Sequence, residues 1–144
     1  MSQTHVDFYL LNEVTAEAAR HFACRLLEKA YLKGHHIALL CEDEHQAALM
    51  DECLWTFSST SFVPHQRVVD NAPCTAPIQI HTDETALQIT DILLNLSTNI
   101  PVNCHQFNRI LEIVAGNEDE KKISRAHYRA YKAQNFKIKT HNID

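Results

Sequence analysis

The segment from Lys121 to Lys139 combines positive charge with aromatic rings near one end of the chain. Its 19 residues hold seven of the 13 lysines and arginines and none of the 18 acidic residues. If the segment is helical, residues three or four positions apart share one face. That face carries Lys121, Arg125, Tyr128 and Arg129. Its cations can hydrogen-bond carboxylates or phosphates and its ring adds an apolar wall, so the segment is a candidate site for an anionic ligand.

Three interpretations of this basic segment remain open. It can be a solvated helix whose bases balance the acids elsewhere in a chain of net charge -5. A solvated face usually mixes charge signs at i, i+4 spacing, so the absence of acids favours an acidic partner. Nucleic acid and an acidic peptide would both suit, but the acidic remainder of the chain disfavours wrapping a long nucleic acid. A compact acidic ligand is the favoured hypothesis.

The stretch CLWTFSSTSFVPH, residues 53–65, concentrates large apolar side chains around a loop. It contains Trp55, which is the only tryptophan of the chain, together with Phe62 and Val63. These side chains can close the core over one end of a sheet, or they can form an anchor patch for a protein partner. Their spacing alone does not choose between the two.

The sequence lacks the patterns of the common catalytic, nucleotide and metal sites. A phosphate-binding loop needs several glycines, and only Gly34 and Gly116 are present. No GxSxG, CxxC, HxH or HxxxH pattern occurs among the ten histidines and five cysteines, which favours structural or surface roles for these residues. The cysteines are widely separated, as is typical of reduced thiols. We predict no catalytic site, no metal and no cofactor.

Alternating strands and helices must position these residues. Strands are predicted at 6–11, 36–41, 78–80, 92–96, 110–114 and 136–138, and helices at 16–33, 42–55, 101–108 and 117–134. Residues 57–77 are interpreted as an ordered loop. This order predicts an α/β fold in a single domain, residues 1–144, with a mostly parallel central sheet flanked by helices. The expected topology is Rossmann-like, or nucleotide-binding-like, without a phosphate-binding loop.

The last predicted helix has two faces of different character. Asn117 followed by Glu120 matches a capping box and predicts its start. Opposite the basic face, Ile123, Ala126 and Tyr131 are expected to pack on the sheet, as is Ala130.

No part of the sequence predicts association with a membrane. The longest apolar run has about five residues, far fewer than the ~20 that span a bilayer. The N-terminal stretch MSQTHVDFYLLNEV lacks the features of a signal peptide. We therefore expect a cytoplasmic protein.

Five stretches in fixed order resemble one known family. They are FYLL (8–11), ALLCEDEHQAALMDECLW (38–55), SFVPH (61–65), DILLNL (91–96) and HYRAYKAQNF (127–136). Together they resemble the chi subunit of bacterial DNA polymerase III, in register over essentially the whole chain. The resemblance implies a non-catalytic accessory subunit of the holoenzyme, associated with the clamp loader. In that family chi binds the psi subunit, and through it the clamp loader, and also binds the acidic, phenylalanine-ended C-terminal tail of the single-stranded DNA-binding protein.

The resemblance also assigns residues to the two partners. Lys121, Arg125, Tyr128 and Arg129 match the residues that bind the acidic tail, and Val114 and Ile138 are expected to wall a slot for its phenyl ring. Trp55, Phe62 and Val63 match the surface that faces psi. Contact with nucleic acid would then be indirect. The alternative is a module that binds single-stranded nucleic acid directly through the Lys121–Lys139 segment.

Overall fold

The central strands are short apolar runs that are buried on both faces of one sheet. The computed structural model describes residues 3–60, 62–69 and 74–143. In chain order the strands are β1 (His5–Leu11), β2 (Ile37–Leu40), β3 (His65–Arg67), β4 (Ile78–His81), β5 (Ile92–Asn95), β6 (Arg109–Val114) and β7 (Lys137–Ile143). They form a seven-stranded sheet in the order β3-β4-β2-β5-β6-β1-β7, and every pair is parallel. The predicted α/β class and parallel sheet are confirmed.

Three helices begin at polar residues that cap them. They are α1 (Ala16–Leu32), α2 (Glu44–Thr56) and α3 (Glu118–Ala133). At the start of each helix the side chain of Thr15, Asp43 or Asn117 accepts a hydrogen bond from a backbone N–H three residues later. Such a cap stabilises a helix by about 1 kcal/mol. The starts predicted for α1 and α3 agree with the structure to within one residue, whereas α2 begins at Glu44 and not at Glu42.

The helices lie on both faces of the sheet, in a layer order consistent with a Rossmann-like topology. Ile37 and Leu39 of β2 point toward α1 and α2, while Ala38 and Leu40 point toward the other face. That second face is covered by α3 and by the two connections that flank β5, which contain only short 3₁₀ turns. Because successive strand residues alternate between faces, a continuous apolar run fills both cores.

Three elements differ from the sequence prediction. The region 57–77 contains β3, whose three polar residues give no apolar pattern. The helix predicted at 101–108 is reduced to a 3₁₀ turn at Cys104–Gln106. The last strand, predicted at 136–138, is seven residues long. It lies at the edge of the sheet, where a strand does not need to be apolar on both faces.

The sheet-facing side of α3 also differs from the prediction. Tyr131 is fully buried as expected, and Ile123 is half-buried. Ala126 and Ala130 are exposed, however, and His127 is buried in their place. Positions 123, 127 and 131 are each four residues apart and share one face of the helix, and each of the two alanines lies one residue before a buried position. Small apolar residues need no burial, whereas the histidine has buried partners described below.

All five cysteines are free thiols, as the sequence predicted. Cys24, Cys41 and Cys104 are buried. Burial raises the pKa of Cys41 to about 12, so this thiol stays protonated at neutral pH.

None of the helices in the described part of the chain is long and apolar enough to span a membrane.

Candidate protein-binding sites

A pocket of about 440 Å³ lies between α3 and the C-terminal halves of β1 and β7. We call it the α3 pocket. Phe8 and Leu10 of β1 and Val114 of β6 form its apolar floor. These three side chains point to this face because they alternate with residues that face α1 and α2. The floor can accept an apolar group such as a phenyl ring.

The rim of the α3 pocket is cationic. Lys121, Arg125 and Arg129 come from successive turns of α3 and line the same pocket. Lys121 Nζ lies 3.7 Å from Glu118 Oε1, in an exposed ion pair that contributes little to stability. Within the described residues, neither arginine has an acidic partner in an ion pair. Both guanidinium groups are therefore available to an anionic ligand.

Tyr128 forms the wall between the floor and the rim. Its side chain is 39% exposed, and its ring centroid is 5.9 Å from that of Phe8, with the planes tilted by 47°. Lys132 Nζ lies 5.9 Å from the centre of the Tyr128 ring, a distance compatible with a cation–π interaction. The ring is thus held by neighbours while one side remains open to a ligand.

Five of the six residues assigned to the acidic tail line the α3 pocket. The exception is Ile138, which packs against the core on the same face of β7 but two residues before the pocket. The residue that β7 contributes is Thr140, paired in register with Phe8. Phe8, Leu10 and Thr140 were not predicted. The alternation of β1 could have identified the first two, whereas Thr140 has no distinguishing signal.

Gly116 sets the end of the α3 pocket. A Cβ atom at this position would lie 2.8 Å from the carbonyl oxygen of Asn12 and 3.0 Å from that of Leu11. The Gly116 N–H donates a 2.8 Å hydrogen bond to the carbonyl of Glu13. The glycine therefore lets the loop that follows β6 lie directly on the loop that follows β1.

A buried polar cluster attaches α3 to the sheet beneath the pocket. It comprises Glu112, His127, Tyr131 and Asn95, and we call it the Glu112 cluster. The Glu112 carboxylate accepts hydrogen bonds from Tyr131 Oη at 2.6 Å and from Asn95 Nδ2 at 3.0 Å. His127 Nδ1 lies 3.0 Å from Glu112 Oε1, and its Nε2 lies 2.8 Å from the carbonyl oxygen of Thr98. All four residues are at most 5% exposed.

The hydrogen-bond partners of His127 favour its protonated form. An ionised Glu112 carboxylate and the carbonyl of Thr98 both accept, so both ring nitrogens donate to them. Burial alone lowers the pKa of His127, but the hydrogen bond and the charge of Glu112 outweigh it and raise the pKa above its usual 6.5. The cluster is therefore a buried ion pair with satisfied hydrogen bonds.

The second candidate surface lies at the end of α2. Trp55 is 56% exposed and Phe62 is 65% exposed, and their ring centroids are 5.6 Å apart. We call this pair the Trp55–Phe62 patch. The His65 ring supports it from β3, with its centroid 4.9 Å from that of Trp55. Two adjacent exposed aromatic rings are typical of a protein-binding patch.

Val63 lies beneath this patch and not on it. Its side chain is 1% exposed and belongs to the core between the sheet and α1 and α2. His65 Nε2 lies 2.8 Å from Asp51 Oδ1, an ion-pair distance without the alignment of a hydrogen bond. Val63 and Asp51 thus place His65 and the patch, and a partner could touch only Trp55 and Phe62 directly.

Carboxylates occupy the edge of the sheet where Rossmann-like proteins hold phosphates. Glu42 Oε2 accepts a 2.6 Å hydrogen bond from the backbone N–H of Thr98, and Glu44 binds Arg67 and Thr82. A phosphate at the start of α2 would face these acids. In the described residues no cluster of three or more His, Cys, Asp or Glu is arranged to hold a metal ion.

Comparison with known proteins identifies the family. Residues 3–139 match the family model described as "DNA polymerase III chi subunit, HolC". The "DNA polymerase III subunit chi" of Pseudomonas aeruginosa is 31% identical over 140 residues, which are 97% of each chain. The protein of the same name from Haemophilus influenzae is 31% identical over 95% of this chain and 96% of its own. The protein of the same name from Escherichia coli is 30% identical over 94% of this chain and 96% of its own. The chain belongs to the family of DNA polymerase III chi subunits, which are replication accessory subunits.

Proposed function

We propose that this chain bridges the psi subunit of DNA polymerase III and the acidic C-terminal tail of the single-stranded DNA-binding protein. Through psi it would join the clamp-loader assembly, with no catalysis of its own and no cofactor. Its contact with nucleic acid would be indirect. Because bacterial DNA is replicated in the cytoplasm, this function implies a cytoplasmic location. The observation that carries the proposal is an apolar pocket floor beside two arginines, neither of which has an ion-pair partner within the described residues.

The α3 pocket suits a chain end that is acidic and aromatic. A terminal phenyl ring can lie on Phe8 and Val114 beside Tyr128. The terminal carboxylate and the preceding acids can then pair with Arg125 and Arg129, since a guanidinium group can hold a carboxylate with two parallel hydrogen bonds. Ions screen such exposed pairs, so we expect weak binding that falls further as salt is raised.

A peptide titration tests this site. A short acidic peptide ending in phenylalanine is titrated into the full chain by calorimetry. The Arg125→Ala substitution is expected to raise the Kd by about tenfold to a hundredfold, the usual effect of removing a hydrogen bond to a charged group. Lys122→Ala is the matched control, because Lys122 is an exposed cation of α3 that does not line the pocket. Equal affinity for Arg125→Ala and the unmodified chain would refute the assigned site.

The structure gives less support to direct binding of nucleic acid by the Lys121–Lys139 segment. Lys121, Arg125 and Arg129 of α3 line the pocket on one face of the sheet. Lys137 and Lys139 lie on the opposite face, beside Asp7 and Arg109. Asp7 and Arg109 form an ion pair there. The basic residues thus do not form one continuous track. Saturable binding of an oligonucleotide to the isolated chain at physiological salt would revive this alternative.

A further inference from the structure

β7 presents a free backbone edge along one side of the sheet. It pairs with β1, and no strand lies beyond it in the described part of the chain. The N–H of Lys137 donates to the carbonyl of Thr4 at 3.1 Å, so Lys137 and every second residue after it turn their backbone groups toward β1. Ile138, Thr140 and Asn142 turn theirs away from the sheet. Such a row of unpaired groups can accept another strand.

The free edge and the α3 pocket meet at Thr140. Thr140 lines the pocket. In the sheet it is paired in register with Phe8 of β1. Its backbone N–H and C=O point outward, since they alternate with those of Lys139 and His141. A chain that leaves the pocket past Thr140 therefore reaches backbone groups that have no partner in the part of the chain that the structure describes.

The positive charge of β7 favours an acidic strand as its binding partner. Residues 121–143 contain no acid, and Lys137 and Lys139 are exposed on β7. Two copies of this edge would repel each other, which is how lysines on edge strands prevent self-association. An acidic strand would be attracted by the same lysines and could satisfy the backbone groups as well.

We propose that an extended acidic segment ending in an aromatic residue binds along β7 as an eighth strand. This inference rests on the proposed function of the α3 pocket and extends it to the residues that precede the aromatic end. The chain end lies in the pocket at the level of Phe8 to Leu11, so the preceding residues run parallel to β7 toward Lys137. They exchange backbone hydrogen bonds with Ile138 and Thr140. Strand addition of this kind supplies affinity through the main chain with little demand on side chains.

Three peptides separate this inference from the proposed function. The first is a three-residue peptide ending in phenylalanine, which fills the pocket only. The second is a nine-residue acidic peptide with the same end. The third has the sequence of the second but carries N-methyl groups on alternate amides before the last three residues, so it keeps the charge and cannot add as a strand.

Amide hydrogen exchange of the full chain, resolved by residue, gives the readout. With the nine-residue peptide we expect the amides of Ile138 and Thr140 to exchange at least about tenfold more slowly than with the three-residue peptide. The methylated peptide should give no such protection and should bind about tenfold more weakly than its unmethylated counterpart, because backbone hydrogen bonds are lost. Lys139 serves as the internal control, since its amide already faces β1.

Each outcome decides one of the two proposals. If neither the three-residue peptide nor the nine-residue peptide binds, the proposed function of the pocket fails. If the nine-residue peptide binds, but the methylated peptide binds equally well and Ile138 and Thr140 stay unprotected with both, the strand proposal is overturned while the pocket stands. Protection of the same amides without peptide, rising with protein concentration, would show that a second copy takes the edge and would also overturn it.

Discussion

Tyr131 and Glu112 are joined by a hydrogen bond of 2.6 Å between the phenol oxygen and carboxylate oxygen Oε2. Tyr131 is fully buried and Glu112 is 5% exposed, so the bond is largely shielded from solvent. The same carboxylate also accepts a hydrogen bond from Asn95 and forms an ion pair with His127. A single acidic group of β6 thereby fixes α3, and with it the rim of the α3 pocket, to the sheet.

Removing the phenol group should weaken this attachment. Tyr131→Phe leaves the ring in place and takes one donor from a buried carboxylate, which we expect to lower the free energy of unfolding by about 1.5–3 kcal/mol. Urea denaturation measures the change. Tyr128→Phe is the control, because the Tyr128 hydroxyl has no hydrogen-bond partner among the described residues. Equal stability of Tyr131→Phe and the unmodified chain would contradict the role of the bond.

The buried ion pair of His127 predicts a loss of stability as pH rises. Its pKa is higher in the folded chain than its usual 6.5. The stabilisation is therefore complete below about pH 6.5 and is lost as pH rises through the folded-state pKa. Urea denaturation at a series of pH values above 6.5 should show this decline, and His127→Gln should remove it.

Two other histidines help to assign this pH dependence to His127. His81 is 2% exposed, and burial lowers its pKa, so its effect on stability lies below pH 6.5, outside the range compared. His45 is exposed, so His45→Gln is the matched control and should leave the decline unchanged. An identical pH profile for His127→Gln and His45→Gln would disprove the assignment.

Gly116→Ala should damage both stability and ligand binding. The added Cβ meets backbone oxygen atoms at 2.8 and 3.0 Å, and backbone cannot move aside as a flexible side chain does. We expect a loss of about 1–3 kcal/mol in the free energy of unfolding and weaker binding of the acidic peptide, because the end of the pocket shifts.

Gly34→Ala is the control that separates the loss of stability in Gly116→Ala from its loss of peptide binding. Gly34 has φ +87°, and its added Cβ would meet no atom within 4 Å. This variant should lose about 1 kcal/mol through backbone strain alone and keep its affinity for the peptide. If Gly116→Ala keeps its affinity as well, Gly116 does not shape the pocket.

Substitutions near the Trp55–Phe62 patch should divide into binding and folding effects. Trp55→Ala removes an exposed ring, so we expect weaker binding of psi in a co-purification assay and little change in stability. Val63→Ala should instead lower the free energy of unfolding by about 2 kcal/mol, because Val63 is buried. Binding of the acidic peptide should be unchanged in Trp55→Ala. Normal binding of psi by that variant would exclude Trp55 from the interface.

Most of the fold was predictable because its central elements follow simple patterns. The apolar runs of β2 and β5 and the caps at Thr15, Asp43 and Asn117 are local signals that tertiary packing reinforces. β3 and most of β7 were missed because edge strands need no apolar alternation. The position of His127 on α3 was missed because its burial depends on Glu112 and Thr98, which are distant in sequence.

The candidate sites were predictable in part for the same reason. The cations of α3 are close in sequence and share a helix face, so spacing alone groups them. The floor of the pocket comes from β1 and β6, which only the order of strands in the sheet brings beside α3. Burial of Val63 and exposure of Phe62 could not be separated, because the two residues are adjacent in a loop without periodicity.

The strand order also fixes how far apart the two candidate sites are. His65, which supports the Trp55–Phe62 patch, lies in the first strand of the sheet, and Thr140 lies in the last. Six inter-strand steps separate them, which corresponds to roughly 30 Å. We therefore expect a partner at the Trp55–Phe62 patch and a peptide in the α3 pocket to bind without direct contact, so that the two binding free energies add.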